Sequence, residues 1–89
     1  GRAFSQVVSG TVRDSSTGVL LPGIQVRVEG ASQSTLTDRN GRYSLTLPSG
    51  RQVLLLQGIG YRSARVQLRT ADADSLQVHL TMLREVQRL

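Results

Sequence analysis

Residues 35–50, TLTDRNGRYSLTLPSG, decide the fold class. Tyr43, Leu45 and Leu47 alternate there with Arg42, Ser44 and Thr46. A period of two gathers apolar side chains on one face only when the backbone is a strand. Asp38-Arg39-Asn40-Gly41 precedes that run, and Asn40 and Gly41 both tolerate positive φ. The stretch therefore reads as a β-hairpin, with Ser34 to Thr37 as its first arm. Pro48-Ser49-Gly50 closes the second arm, because Pro offers no N–H to a neighbour and Gly frees the next reversal.

The same grammar repeats on both sides. Upstream, Gln6 to Arg13 places Val8 and Val12 on one face, with Gly10 between them as the mark of a bulge or a close backbone approach. Asp14 to Gly18 is a cluster of short polar residues suited to a turn, and Pro22-Gly23 marks a second. Ile24, Val26 and Val28 then alternate with Gln25, Arg27 and Glu29. Downstream, Gln52 to Gln57 is apolar on both parities, so periodicity cannot choose its inner face. Gly58-Ile59-Gly60 breaks that run and Tyr61 opens the next, in which Ala64, Val66 and Leu68 alternate with Arg65, Gln67 and Arg69. After the turn at residues 70–74, Leu76, Val78, Leu80 and Met82 form the last strand, and residues 83–89 read as a linker. Seven short strands without a capped helix predict an all-β, antiparallel β-sandwich.

Composition narrows the function classes. Eighty-nine residues make one domain, with a net stability of roughly 3–8 kcal/mol. A hydrophobic content of 38% is too high for a disordered tail. Without cysteine there is neither a disulfide framework nor a thiolate metal site. The longest apolar run, Val53 to Leu56, falls far short of the roughly 20 residues of a membrane helix. A chain that starts at Gly1 without a basic-then-apolar leader reads as a processed or excised piece of a longer protein. The net charge of +5 comes entirely from arginine. Those arginines are scattered, with few aromatics to stack on bases, so they read as a solvated outer face and not as a nucleic-acid site.

The residues that could carry chemistry do not assemble into a site. His79 is the only histidine and falls on the solvent face of the last strand. Nucleophilic hydrolysis needs a base oriented beside its nucleophile, and a lone strand histidine supplies neither partner. The Asp38 turn lacks the carboxylate two residues earlier that a calcium loop requires, since Leu36 stands there. Asp72 and Asp74 read as an exposed turn, and Gly58 and Gly60 open no helix that could cradle a phosphate. No catalytic residue, cofactor or metal is expected.

Taken in order, SGTVRD, TGVLLPGIQVRVEG, STLTDRNGRYSLTLPSG, GYRSARVQL and LQVHL resemble the carboxypeptidase regulatory-like (peptidase-associated) domain family. The resemblance covers about residues 7–82 and implies a transthyretin-like, seven-stranded Greek-key β-sandwich over residues 6–82. Residues 1–5 would then be a lead, and residues 83–89 a linker to a following domain. It also implies that Leu54 and Leu56 point inward, leaving Val53 and Leu55 outward. Val53, Leu55, Arg65 and Arg69 become the candidate interaction surface. Such domains are non-catalytic and often stand at the N-terminus of TonB-dependent outer-membrane receptors. Leu83-Arg84-Glu85-Val86 is similar to the segment that leads from such a domain into the receptor plug. That setting implies a periplasmic location at the outer membrane, with contact to the membrane only through the parent protein. The expected partner is the rest of the polypeptide, its plug and barrel, or a periplasmic protein. A binding or structural module of a secreted or surface protein is the alternative, and self-association through an open sheet edge or through Val53 and Leu55 is a third.

Overall fold

Every alternating run but the last is a single strand in the computed structural model, which describes residues 5–71 and 75–86. The residues 1–4, Asp72 to Asp74 and 87–89, on which parts of the lead, the acidic turn and the linker fall, lie outside the described residues. Eight strands follow one another: β1 (Ser5–Asp14), β2 (Gln25–Val28), β3 (Ser34–Leu36), β4 (Arg42–Pro48), β5 (Gly50–Gln57), β6 (Ala64–Thr70), β7 (Ser75–Gln77) and β8 (Leu80–Met82). One sheet has the order β4-β1-β7, with β8 also paired to β1; the other has the order β3-β2-β5-β6. The chain changes sheets between β1 and β2, β3 and β4, β4 and β5, and β6 and β7.

The inner faces meet in one core. Val8, Val12, Tyr43, Leu45, Leu47, Leu80 and Met82 come from the first sheet, and Val26, Val28, Leu54 and Leu56 from the second. Leu54 and Leu56 are fully buried, which is the inward phase that the family resemblance implied. Leu21 and Ile24, from the β1–β2 crossing, fill the end of the sandwich.

The count is eight, not seven, because the last expected strand is interrupted at Val78 and His79. The interruption sits on Gly10. A Cβ there would lie 1.9 Å from the Val78 carbonyl oxygen, so only glycine allows the two backbones to approach this closely. Val78 donates its N–H to Ser9 O (2.8 Å), and its own carbonyl accepts the Tyr43 hydroxyl (2.7 Å). The residue thus keeps its polar groups satisfied while it leaves the ladder. On either side of the break β7 and β8 run parallel to β1, whereas β1–β4, β2–β3, β2–β5 and β5–β6 are antiparallel.

The expected hairpin at residues 35–50 is not formed. β3 pairs with β2 and β4 pairs with β1, so Asp38-Arg39-Asn40-Gly41 is a corner that carries the chain from one sheet to the other. Thr37 explains the divergence. Its buried hydroxyl donates to Leu21 O (2.7 Å) and accepts from Ile24 N (2.8 Å), and its amide donates to Ile24 O (2.9 Å). Those bonds tie the end of β3 to the residues that lead into β2. The turn itself is held by Asp38 Oδ1, which accepts from the amides of Asn40 (2.8 Å) and Arg42 (3.0 Å). Only Gly41 has positive φ (72°), so the mirror-image turn that Asn40-Gly41 suggested is absent.

Candidate interaction face

The four expected contact residues share one surface, the outer face of the second sheet. Strand register sets their neighbours. Leu55 lies between Arg27 of β2 and Arg65 of β6, Val53 lies opposite Gln67, and Arg51 lies opposite Arg69. Val53 and Leu55 are half-buried while Arg27, Arg51, Arg65 and Arg69 are exposed, giving an apolar centre rimmed by guanidinium groups. Glu29 binds Arg65 at 2.5 Å, with both side chains about half exposed. Among the described residues no acidic group pairs with Arg51 or Arg69. Two like charges directly opposite on a sheet repel, so the Arg51–Arg69 end is a place where an anion is favoured.

Beside this face runs a feature that sequence reading missed. Ala64, Val66 and Leu68 point inward from β6, yet they are only partly buried, as are Leu76 and Val78 around β7. Among the described residues the sandwich is therefore open along its β6–β7 flank. Polar bonds fasten both ends of β6 across the gap. At one end, buried Gln6 accepts the Ala71 amide on Oε1 (3.0 Å), and Thr70 Oγ1 donates to Pro48 O (2.5 Å). At the other, Tyr61 donates its hydroxyl to Asp14 Oδ2 (2.8 Å).

Asp14 is the best-connected polar side chain described. It is buried at the end of β1, where Oδ1 accepts the amides of Ser16 (2.8 Å) and Thr17 (3.1 Å) and closes the turn predicted there. Oδ2 takes Tyr61 and, at 3.3 Å, Arg84. The Tyr61 hydroxyl, then the two amides and finally the Arg84 charge hold this carboxyl down at about 2, against its ordinary 3.8. Backbone bonds from Arg62 N to Leu83 O and from Glu85 N to Gly60 O (both 2.9 Å) lay the first residues of the expected linker on the Gly60–Arg62 segment. The legible signal was the Asp14-Ser15-Ser16-Thr17 turn; nothing in the pattern showed that its carboxylate also reaches residues 47 and 70 positions away.

The remaining candidates have structural partners. His79 is exposed, and its Nδ1 accepts from the Thr11 amide (3.2 Å) and lies 2.9 Å from the Thr11 hydroxyl. Among the described residues no carboxylate orients it. Asp38 spends its carboxylate on the turn, where the Arg42 and Asn40 amides lower its pKa. Burial pushes the Tyr43 hydroxyl up to about 12, so it stays a neutral donor to Val78 O. Among the described residues no three His, Cys, Asp or Glu side chains converge as metal ligands.

The described residues form a two-sheet β-sandwich module with a basic outer face. The chain belongs to the CarboxypepD_reg-like domain family, whose sequence model matches residues 8–89. Two TonB-dependent receptors of Formosa agariphila are similar to it. One is 35% identical over 92% of this chain, the other 31% identical over 96%. The chain spans only 7% and 9% of the length of those receptors. Among solved structures, a catechol 1,2-dioxygenase from Acinetobacter superposes with a TM-score of 0.77 at 15% identity, covering 97% of this chain and 54% of that one. A chain of a cohesin–X-dockerin complex from Acetivibrio cellulolyticus superposes at 0.69 with 18% identity, covering 86% and 56%. At such identities the likeness is one of fold alone.

Proposed function

We propose that this chain is a non-catalytic accessory domain of a TonB-dependent outer-membrane receptor, lying on the periplasmic side and acting through protein contacts. The observation that carries the reading is that nearly the whole chain aligns, at 31–35% identity, with less than a tenth of each receptor. A segment of that size, folded around its own core, is an appendage to a larger polypeptide. Its contact surface is the outer face built from Val53, Leu55, Arg65 and Arg69, and its partner is the plug and barrel of the same chain or a periplasmic protein. Residues 83–89 lead from the domain toward that larger body.

Location is tested in the parent receptor with a cysteine at exposed Ser32, since this chain has no cysteine of its own. A membrane-impermeant maleimide should label that site only after the outer membrane is permeabilised. Labelling of intact cells would overturn the periplasmic reading and favour a surface module.

A further inference from the structure

The β6 edge is the part of the molecule whose features point furthest beyond the family. β6 is seven residues long, and among the described residues its only sheet neighbour is β5. A strand at the edge of a sheet leaves alternate backbone N–H and C=O groups without ladder partners. Three further observations separate it from an ordinary edge. Its ends are fastened to the opposite sheet through Gln6–Ala71, Thr70–Pro48 and Asp14–Tyr61, so the strand is preorganised. Its inward residues Ala64, Val66 and Leu68 are only partly buried, as are Leu76 and Val78 of the facing sheet, so apolar surface on this flank stays partly uncovered among the described residues. Its outward residues Arg65 and Arg69 carry positive charge, and Arg51 adds a second guanidinium opposite Arg69.

We propose that β6 is a β-augmentation site for an extended acidic segment of another polypeptide. Adding a strand satisfies the free backbone groups, and alternate side chains of that strand fall on the two faces. Residues opposite Arg65 and Arg69 are four apart on the outer face, so the partner needs acidic residues at i and i+4. The residues at i+1 and i+3 face the seam and are apolar. The recognised pattern is acidic, apolar, any, apolar, acidic. The acid at the Arg69 end meets two cations, whereas Arg65 is shared with exposed Glu29.

A second copy of the chain does not meet this description. Pairing the whole of β6 antiparallel with its own copy puts Gln67 opposite Gln67, and therefore Arg65 opposite Arg69 twice. Like charges directly opposite disfavour that register, as edge arginines would if they guard against self-pairing while admitting an acidic strand.

The inference names the partner's chemistry at the contact face proposed above. Its test uses the isolated chain, so it fails or succeeds independently of where the receptor places the domain. The probe is an end-capped peptide, Thr-Glu-Val-Thr-Val-Glu-Thr, titrated into the labelled protein by NMR. We expect saturable shifts, hydrogen-exchange protection of β6 amides, and weakening as salt rises. The R65Q/R69Q double variant should lose at least tenfold in affinity while its circular dichroism stays unchanged. N-methylation of alternate peptide amides on the β6-facing side should abolish binding without altering charge. Absence of saturable binding would overturn the proposal. So would equal binding by the N-methylated peptide, which would make the contact purely electrostatic, or protection of β6 by dimerisation without peptide.

Discussion

β4 and β6 are matched strands with opposite fates. Each has seven residues, each lies at the edge of its sheet, and each alternates apolar with polar side chains. The inward residues of β4 are buried: Tyr43 is 4%, Leu45 7% and Leu47 0% exposed. Those of β6, namely Ala64, Val66 and Leu68, are only partly buried. The difference lies in what covers the edge. β4 has the β2–β3 region beside it, and the Gln33 side-chain amide donates to Thr46 O at 2.8 Å. Thr37 bends the chain into that corner. Among the described residues, β6 is fastened to the opposite sheet at its two ends and left bare between them. Alternation therefore tells which side of a strand faces the core, but how dry that side becomes depends on what the topology lays over the edge.

The largest effect that could break this contrast is a pair of core truncations. Leu47→Ala should cost about 2–5 kcal/mol, because a fully enclosed leucine leaves both lost transfer energy and a cavity. Leu68→Ala, on the half-covered flank, should cost only about 1 kcal/mol, since less area leaves water and solvent can fill the gap. Urea unfolding monitored by circular dichroism measures both. Equal losses would show that the β6 flank is packed as tightly as the β4 flank.

Much of this contrast was closed to sequence reading, for reasons that particular residues make plain. Tyr43, Leu45 and Leu47 announced their face because burial on one side alone imposes a period of two. Gly10 announced a close approach, and Val78 is what approaches. Thr37 gave no sign of drawing β3 away from β4, since a threonine before Asp-x-Asn-Gly serves a hairpin and a corner equally well locally. Its partners Leu21 and Ile24 are remote in sequence, and pattern reading is blind to such pairings. The same applies to the candidate face. Arg65 and Arg69 were visible as outward residues, and the phase of Val53 and Leu55 came through family resemblance. The pairing of Arg51 with Arg69, however, exists only once the β5–β6 register is known. Asp14 was legible as a turn former, not as the clamp on Tyr61 and Arg84.

That clamp offers a pH-dependent way to sharpen the comparison, because it pins the Tyr61 end of the open flank to β1. The Asp14 carboxyl sits at about 2 when folded, against an ordinary 3.8 that serves for the unfolded chain. A depressed folded value means that the ionised form is favoured by folding. Its contribution is complete above about pH 4 to 5 and is lost as pH falls through 3.8 toward 2. Asp38, also lowered by backbone amides, acts in the same direction in the turn before β4. Unfolding free energy should thus decline as the wild-type chain is acidified across that window, and Asp14→Asn should flatten the decline while lowering stability at neutral pH. Exchange of the Tyr61 and Arg62 amides should accelerate in Asp14→Asn more than that of the Tyr43 and Leu45 amides. Uniform acceleration along the chain would show that the clamp holds the whole sandwich and not the open flank in particular.

The smallest effect concerns the one ion pair described on the basic face. Arg65 and Glu29 bridge β6 and the end of β2, but their side chains are 57% and 43% exposed. An exposed pair gains little Coulomb energy in water and loses side-chain freedom, so it contributes about 0.2–1 kcal/mol at most. Glu29→Gln should shift unfolding free energy by less than about 1 kcal/mol, and raising salt should erase the difference. The edge is held by its ends and its backbone, not by this pair. A loss comparable to that of Leu68→Ala, persisting in high salt, would mean instead that Glu29 is the fastening that keeps the middle of β6 in place.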